Sequence, residues 1–470
     1  MTTRTLVADK LTPVRAYAAL RRAAPGGASF LLESVVGGER WGRYTIAGYR
    51  PRYEARLTLA GWSVLPAGAR QKPTEPPPSD LLAAGAWLFS KRGDPLAHPA
   101  EKLSHAHVGY FAWDLVHAID KVPAWPGAAW PLGRFVGGAT ILLFDNLAQT
   151  VTIGAESPDG VEQALEDLGR EFKLKDIALP DRSHLPAQVE VSMDDARYGA
   201  IVKRAQEYIA AGDAFQIVLA RTFTVPAEGR DPFDVYRAMR VINPSPYMYF
   251  LDLPEAEGER GRTQIIGASP ETLVRLEAGT MTVRPLAGTR PRGKTEEEDA
   301  ALERELLQDP KELAEHVMLI DLGRNDVGRV AEIGSVQLPR KMEIERFSHV
   351  MHLVSEVRGR VPASTAPLEV LRAAFPAGTL SGAPKLRAMQ IIRELEARPR
   401  GLYGGAVGYV ADSGDLDFAI AIRTAVCRGG VFEVTAGAGI VEASVPATEA
   451  DETRSKARGV LCAIEAAARG

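Results

Sequence analysis

Two pairs of glutamates stand three residues apart: Glu312 and Glu315 in DPKELAEHVMLIDL, and Glu449 and Glu452 in ATEADETRSKARGV. Residues at that spacing share one face of a helix, so each pair projects two carboxylates in one direction. Lys456 follows the second pair by one helical turn. Carboxylates from two helices suit a hard cation such as Mg2+, which prefers oxygen ligands. The same pattern also suits a solvated helix face, and spacing alone does not choose between the two.

Other groups could act beside such a centre. RFSHVMHLVSEV places His349 and His352 in an apolar run, where a histidine either packs in a core or serves as a base. His316, beside Glu315, could orient that carboxylate or simply pack. RPLAGTRPRG (284–293) reads as a stiff loop whose three guanidiniums suit an anionic ligand, yet Ala287 stands near its middle. The glycine-rich turns FPAGTLSGAPK (375–385) and TAGAGIV (435–441) match neither a P-loop nor a dinucleotide fingerprint, but could offer backbone N–H groups to a carboxylate. Arg423 falls in a strand-like run, IAIRTAV, where an arginine needs an acid or an anionic ligand. Together these describe a site for a small, multiply anionic substrate around a divalent metal.

The elements that must position these groups are legible in part. At 470 residues the chain exceeds one ordinary core, which predicts two lobes or one composite domain. An N-terminal lobe (1–154) is strand-rich, as in YTIAGYRPRYEARLTLAGWSVL and ATILLFDNLAQTVTIGA. A connector (155–193) holds one helical pattern and then proline-punctuated polar sequence, and ARQKPTEPPPSD (69–80) reads as an exposed loop. The C-terminal region (194–465) interleaves helices with antiparallel strands without a βαβ rhythm, which makes the fold class α+β.

Composition sets bounds. Apolar residues are 46% and charged residues 25%, and the net charge of −4 gives no global attraction to nucleic acid. The N-terminus lacks an apolar h-region, and no stretch approaches about 18 uninterrupted apolar residues, so no membrane partner is expected. Cys427 and Cys462 sit in apolar surroundings and read as inert buried thiols. The expectation is a soluble, cytoplasmic protein.

Beyond this point the motifs speak collectively. GASPETLVR, RPLAGTRPRG, KELAEHVMLIDLGRNDVGRV, FSHVMHLVS, FPAGTLSGAPK, YGGAVGY, AIAIRT and AGAGIVEASVPATEADET occur in one order from about Tyr198 to Lys456. They resemble the chorismate-utilising enzymes and, within them, the large subunits (component I) of anthranilate synthases. FLLESVVGGERWGRYTIAG and VGYFAWDLV extend the resemblance into the N-terminal lobe.

The resemblance implies a two-lobed fold of antiparallel sheets packed with helices, with chorismate and Mg2+ bound together. It makes Glu315 and Glu452 metal ligands, with Glu312 and Glu449 in support through water. It assigns Gly288, Thr289, Tyr403, Arg423, Gly437, Ala438, Gly439 and Lys456 to chorismate. It makes Glu271 the acid at the departing C4 hydroxyl, gives Thr379 a catalytic place, and ties His352 to pyruvate elimination. Relatives that add water at C2 carry lysine where this chain has Gln216 in QIVLAR. Many aminodeoxychorismate synthases carry lysine where this chain has Ala287 in PLAGT. With neither lysine, the resemblance implies ammonia as nucleophile. Neither cysteine sits in a glutaminase-like turn, so ammonia is expected from a separate glutamine amidotransferase subunit in a hetero-oligomer. Ser34 in LLES, with Pro246, Tyr247 and Met248 in NPSPYM, matches the tryptophan effector site of feedback-inhibited members. The alternatives are an aminodeoxychorismate synthase subunit and a silent regulator on the same fold.

Overall fold

The structure, a computed structural model, describes residues 2–34, 43–66, 80–89, 102–103, 105–125, 130–177, 179–255, 261–347, 350–396 and 398–469. His349 and all but Asp80 of the proline-rich 69–80 stretch lie outside the described residues.

Among the described residues the strands form two antiparallel sheets, of twelve and eleven strands. The first runs from the N-terminal strands Thr2–Val7, Thr150–Ala155, Thr140–Asp145, Tyr44–Tyr49 and Ser29–Glu33. It continues through Tyr247–Leu253, Thr263–Ser269, Thr424–Arg428, Val431–Ile440 and Gln216–Pro226. The second sheet is built likewise: C-terminal strands from Leu286–Pro291 to Ala406–Val410 continue into N-terminal His107–Phe111, Gly133–Gly137, Tyr53–Thr58 and Gly61–Pro66. Both sheets are therefore completed across the same two regions of chain. The seams are Ser29–Glu33 against Tyr247–Leu253, with Met248 opposite Glu33, and Ala406–Val410 against His107–Phe111.

A core holding Phe30, Tyr110, Tyr249, Leu251, Val407 and Ala419 joins strands of the two sheets. A second core joins the first sheet to the helices Pro13–Ala23, Pro232–Ile242 and Pro446–Ala468 through residues such as Tyr17, Phe233 and Leu461. Each of these helices carries proline in its first turn, where the missing N–H costs nothing. Many strands are buried on both faces, as in Tyr44–Tyr49 and Thr140–Asp145, because the first sheet packs on helices on one side and on the second sheet on the other.

Candidate active site

The helix Pro310–Gly328 starts at Asp309, whose carboxylate caps the N–H groups of Lys311 and Glu312. That start sets Glu312 in the first turn and Glu315 in the second. The helix Pro446–Ala468 carries Glu449 and Glu452 in its first two turns. Burial, and after it the charge of Glu315, raises the carboxyl pKa of Glu312. At Glu449 burial again raises it, the charge of Glu452 adds to that, and Lys311 of the other helix opposes. Each pair thus carries like-charge repulsion that a cation would relieve, and its donors are all carboxylate oxygens. Among the described residues no three acidic, histidine or cysteine side chains are drawn into one coordination cluster.

Gln216 links one pair to the sheet. Its Nε2 donates to Glu315 Oε1 at 3.3 Å, and a side chain at Gly439 would meet that nitrogen at 2.8 Å. A side chain at Gly437 would meet the Tyr403 hydroxyl and the Leu219 carbonyl, each at 2.7 Å. TAGAGIV is accordingly no turn, as its glycines had implied. Residues 435–440 lie inside the Val431–Ile440 strand, paired with Gln216–Pro226, with Ala438 opposite Leu219. Glycine is needed there because other side chains press on the strand face.

Arg423 is not in a strand either. The chain leaves the second sheet after Leu416–Ile420 and enters the first at Thr424–Arg428, and Arg423 makes the corner with φ 51°. A left-handed arginine costs about 1–3 kcal/mol, and the corner explains why the strand pattern broke. Arg423 is partly buried, and desolvation depresses its pKa. Among the described residues its one hydrogen bond goes to the Lys456 carbonyl at 3.3 Å, with no carboxylate in ion-pair contact. Lys456 itself bonds Glu452 Oε1 at 2.6 Å and donates to the Gly437 carbonyl at 3.0 Å.

Glu271 stands just past the Thr263–Ser269 strand, and Thr379, in the short helix Gly378–Ser381, donates to its Oε1 at 2.9 Å. Burial pushes the Glu271 carboxyl up to about 7, against the opposing pull of Thr379, Lys456 and Arg423. At neutral pH much of it carries a proton to give. His352, on the Val350–Arg360 strand, has Nδ1 3.1 Å from both the Gly288 carbonyl and Thr289 Oγ1. A carbonyl accepts only from N–H, so Nδ1 carries the proton and Nε2 is left as the basic nitrogen. Burial, seconded by the Arg423 charge, lowers the His352 pKa and keeps the ring neutral. Tyr403 is raised by burial to about 12 and stays a neutral phenol.

Three further sequence readings change. RPLAGTRPRG is largely an edge strand, Leu286–Pro291, whose register with Val350–Arg360 shifts around Gly288 at φ 63°. Its arginines do not wait for an anion. Arg284 pairs with Glu345, Arg290 with Glu305 and Asp309, and Arg292 with Asp299. Those acids lie 7 to 61 residues along the chain, on other elements that spacing alone does not bring back to the strand. His316 turns away from Glu315: its Nε2 meets Ser355 Oγ at 2.7 Å, and burial lowers its pKa to about 4. Lys385 of the GAPK turn, which drew no attention in sequence, forms a buried pair with Asp326 at 2.9 Å. A lone lysine after a proline gives no such signal.

The effector candidates lie apart, at the seam of the first sheet. Ser34 follows Glu33, which sits opposite Met248, and the Ser34 hydroxyl is buried without a hydrogen-bond partner among the described residues. After Pro246, Tyr247 spans to the second sheet, donating to Asp417 Oδ1 at 2.9 Å and meeting Thr272 Oγ1 at 2.9 Å.

The model of the family described as chorismate binding enzyme matches residues 77–461. This chain belongs to the chorismate-binding enzyme family. Anthranilate synthase component 1 of Pseudomonas aeruginosa is 41% identical over 476 residues, covering 97% of this chain and 94% of its own length. That of Streptomyces coelicolor is 43% identical, covering 98% and 88%. The crystal structure of anthranilate synthase component I from Streptococcus pneumoniae superposes with a TM-score of 0.76 at 33% identity, covering 97% of this chain and 99% of that one. The menaquinone-specific isochorismate synthase of Escherichia coli, 19% identical with a TM-score of 0.69, shares the fold. Every catalytic and substrate candidate from Glu271 to Lys456 falls inside the chorismate-binding match, whereas Ser34 precedes it. No helix among the described residues is long and apolar enough to cross a membrane.

Proposed function

We propose that this chain converts chorismate and ammonia to anthranilate and pyruvate, through 2-amino-2-deoxyisochorismate, as the large subunit of an anthranilate synthase. One observation carries the reading: Arg423 is a partly buried guanidinium without a carboxylate in ion-pair contact among the described residues, set near an acid and a base whose pKa values it shifts. Such a charge requires an anion, and the substrate's carboxylate supplies one. Gly288 and Thr289 on one side, and Tyr403, Gly437, Ala438, Gly439 and Lys456 on the other, would hold the rest of chorismate.

The four glutamates fit Mg2+ by donor chemistry, with Glu315 and Glu452 as direct ligands and Glu312 and Glu449 acting through water. When bound, the ion would neutralise a substrate carboxylate and hold it in register. Ammonia adds at C2 while Glu271, held by Thr379, gives its proton to the C4 hydroxyl, which departs as water. His352 Nε2 then takes the C2 proton as the ether bond to the pyruvyl group breaks, and the ring aromatises. Ala287 and Gln216 leave no lysine to compete with ammonia at C2.

A glutamine amidotransferase subunit would supply the ammonia in a cytoplasmic hetero-oligomer. Ser34, Pro246, Tyr247 and Met248 would bind tryptophan as feedback inhibitor: a buried hydroxyl without a partner beside a proline–tyrosine turn offers a polar handle for an amino acid. In functional terms 1–154 would carry part of that effector site and 194–465 the chorismate site, with 155–193 connecting them. The test is direct. The purified chain, given chorismate, Mg2+ and ammonium at mildly alkaline pH, yields anthranilate and pyruvate, and tryptophan suppresses both. Aminodeoxychorismate without pyruvate would overturn the assignment.

A further inference from the structure

The two ends of the helix Pro310–Gly328 are used differently. Near its start it presents Glu312 and Glu315, and near its end Asp326 is buried against Lys385. The eleven residues from Glu315 to Asp326 span about 16 Å at the helical rise. The bond to Lys385 is two-pronged: its Nζ donates to both Asp326 carboxylate oxygens, at 2.9 and 3.0 Å. Each side chain is less than a tenth exposed, 9% for Lys385 and 8% for Asp326.

This pair closes a ring of contacts. Lys385 opens the helix Lys385–Leu395, one residue after the short strand Gly382–Ala383. That strand pairs with Gln216–Pro226, with Ala383 opposite Gln216. Gln216 in turn donates to Glu315, back on the first helix. The ring therefore runs from Asp326 to Lys385, across the strand pair to Gln216, on to Glu315, and along the helix to Asp326 again. Thr379, which donates to Glu271, belongs to the segment just before the short strand. Its neighbour Gly378 lies so close to the first helix that any side chain there would collide with Leu322. One metal-binding glutamate and the holder of the acid thus hang on one frame.

A buried ion pair is a poor source of stability, because desolvation offsets much of the attraction and apolar side chains of like volume do as well. What it adds is direction: an ammonium shared by two oxygens limits how far the helix slides or turns. We infer that Asp326 and Lys385 are positioning residues, whose pair holds Glu315 in register with Thr379 so that metal and acid meet one substrate. This role rests on the places proposed for Glu315 and Glu271. Neither Asp326 nor Lys385 touches chorismate or the ion in that reading.

The test replaces charge with apolar volume. Asp326→Leu combined with Lys385→Met leaves no buried charge unpaired, so the chain should keep its fold and a Tm near wild type. Mn2+ stands in for Mg2+, and electron paramagnetic resonance reads its binding with chorismate present and no nitrogen donor. The Kd for the ion should rise about 10- to 100-fold, as when support behind a metal ligand is lost, and KM for chorismate should rise with it. A merely structural pair would lower the folded fraction, and with it kcat, while both constants stayed where they were; that outcome overturns the brace. Should the double variant lose its fold, Asp326→Asn, which keeps a hydrogen-bond acceptor, should still raise the ion's Kd at least about threefold. Binding by that variant as tight as wild type overturns the brace equally. A wild-type chain that binds no Mn2+ overturns the metal assignment and the brace with it, a result read before any variant is made.

Discussion

Two arginine-bearing regions of this molecule are used in opposite ways. The edge strand around Ala287 and the residues flanking it carry Arg284, Arg290 and Arg292, and every one has acidic partners on neighbouring elements. The corner between the sheets carries a single arginine, Arg423, which has none in ion-pair contact among the described residues and is held in a left-handed backbone. Density of charge in the sequence pointed to the first region, but an unsatisfied charge in the fold points to the second. A partly buried cation that the protein itself leaves unpaired is the better sign of where an anion binds.

The sharpest way to break that contrast is Arg423→Ala. Losing the sole guanidinium for a substrate carboxylate should lower kcat/KM for chorismate by about 10²- to 10⁴-fold, as for other truncated buried charge pairs, and steady-state kinetics with ammonium check it. A residual activity near wild type would mean the anion binds elsewhere. His352→Met should cost roughly 10²-fold or more in anthranilate formation while the aminated intermediate accumulates, a result read by chromatography and mass. Equal slowing of amination and pyruvate release would remove the base from its assigned step. Glu452→Ala should weaken the response to added Mg2+ and free Lys456 from its pair, so the Mg2+ titration of activity moves to higher concentration.

The acid side gives a pH prediction with a definite sign. As the proposed acid, Glu271 would act when protonated, so at a fixed concentration of free ammonia kcat/KM should decline as pH rises through about 7. Thr379 stabilises the charged form through its hydrogen bond, so Thr379→Val should move that decline to higher pH. A shift downward, or none, would contradict the assigned pairing. The smallest effect belongs to the satisfied arginines. Arg292→Met breaks a pair with Asp299 and alters no residue assigned to chorismate or metal, so it should lower Tm while changing kcat/KM by less than about twofold.

How much of this was written in the sequence depends on the range of the interaction. The glutamate pairs were legible because their spacing is local and a helix with its own cap fixes their direction. So were the strands of the N-terminal region, short apolar runs with turn residues between them, although most proved buried on both faces. TAGAGIV misled because glycine at a turn and glycine under a pressing Tyr403 look alike in one dimension. The loop reading of RPLAGTRPRG failed because proline and glycine are also tolerated on an irregular edge strand. Arg423 read as a strand residue since the passage between sheets depends on pairings with distant segments. The roles of Glu271 and His352 came through resemblance, and no spacing would have joined either to Arg423.

The shared sheets carry a consequence for how the chain comes to be. As it emerges from the ribosome, the N-terminal region can form strands Ser29–Glu33 and His107–Phe111, but their seam partners Tyr247–Leu253 and Ala406–Val410 arrive much later. Until then both are open edges with unpaired backbone groups, the kind that capture other strands. The nascent protein keeps the second border unsealed until Ala406–Val410 has been made, so its yield should fall when translation is slowed late in the message or chaperones are scarce.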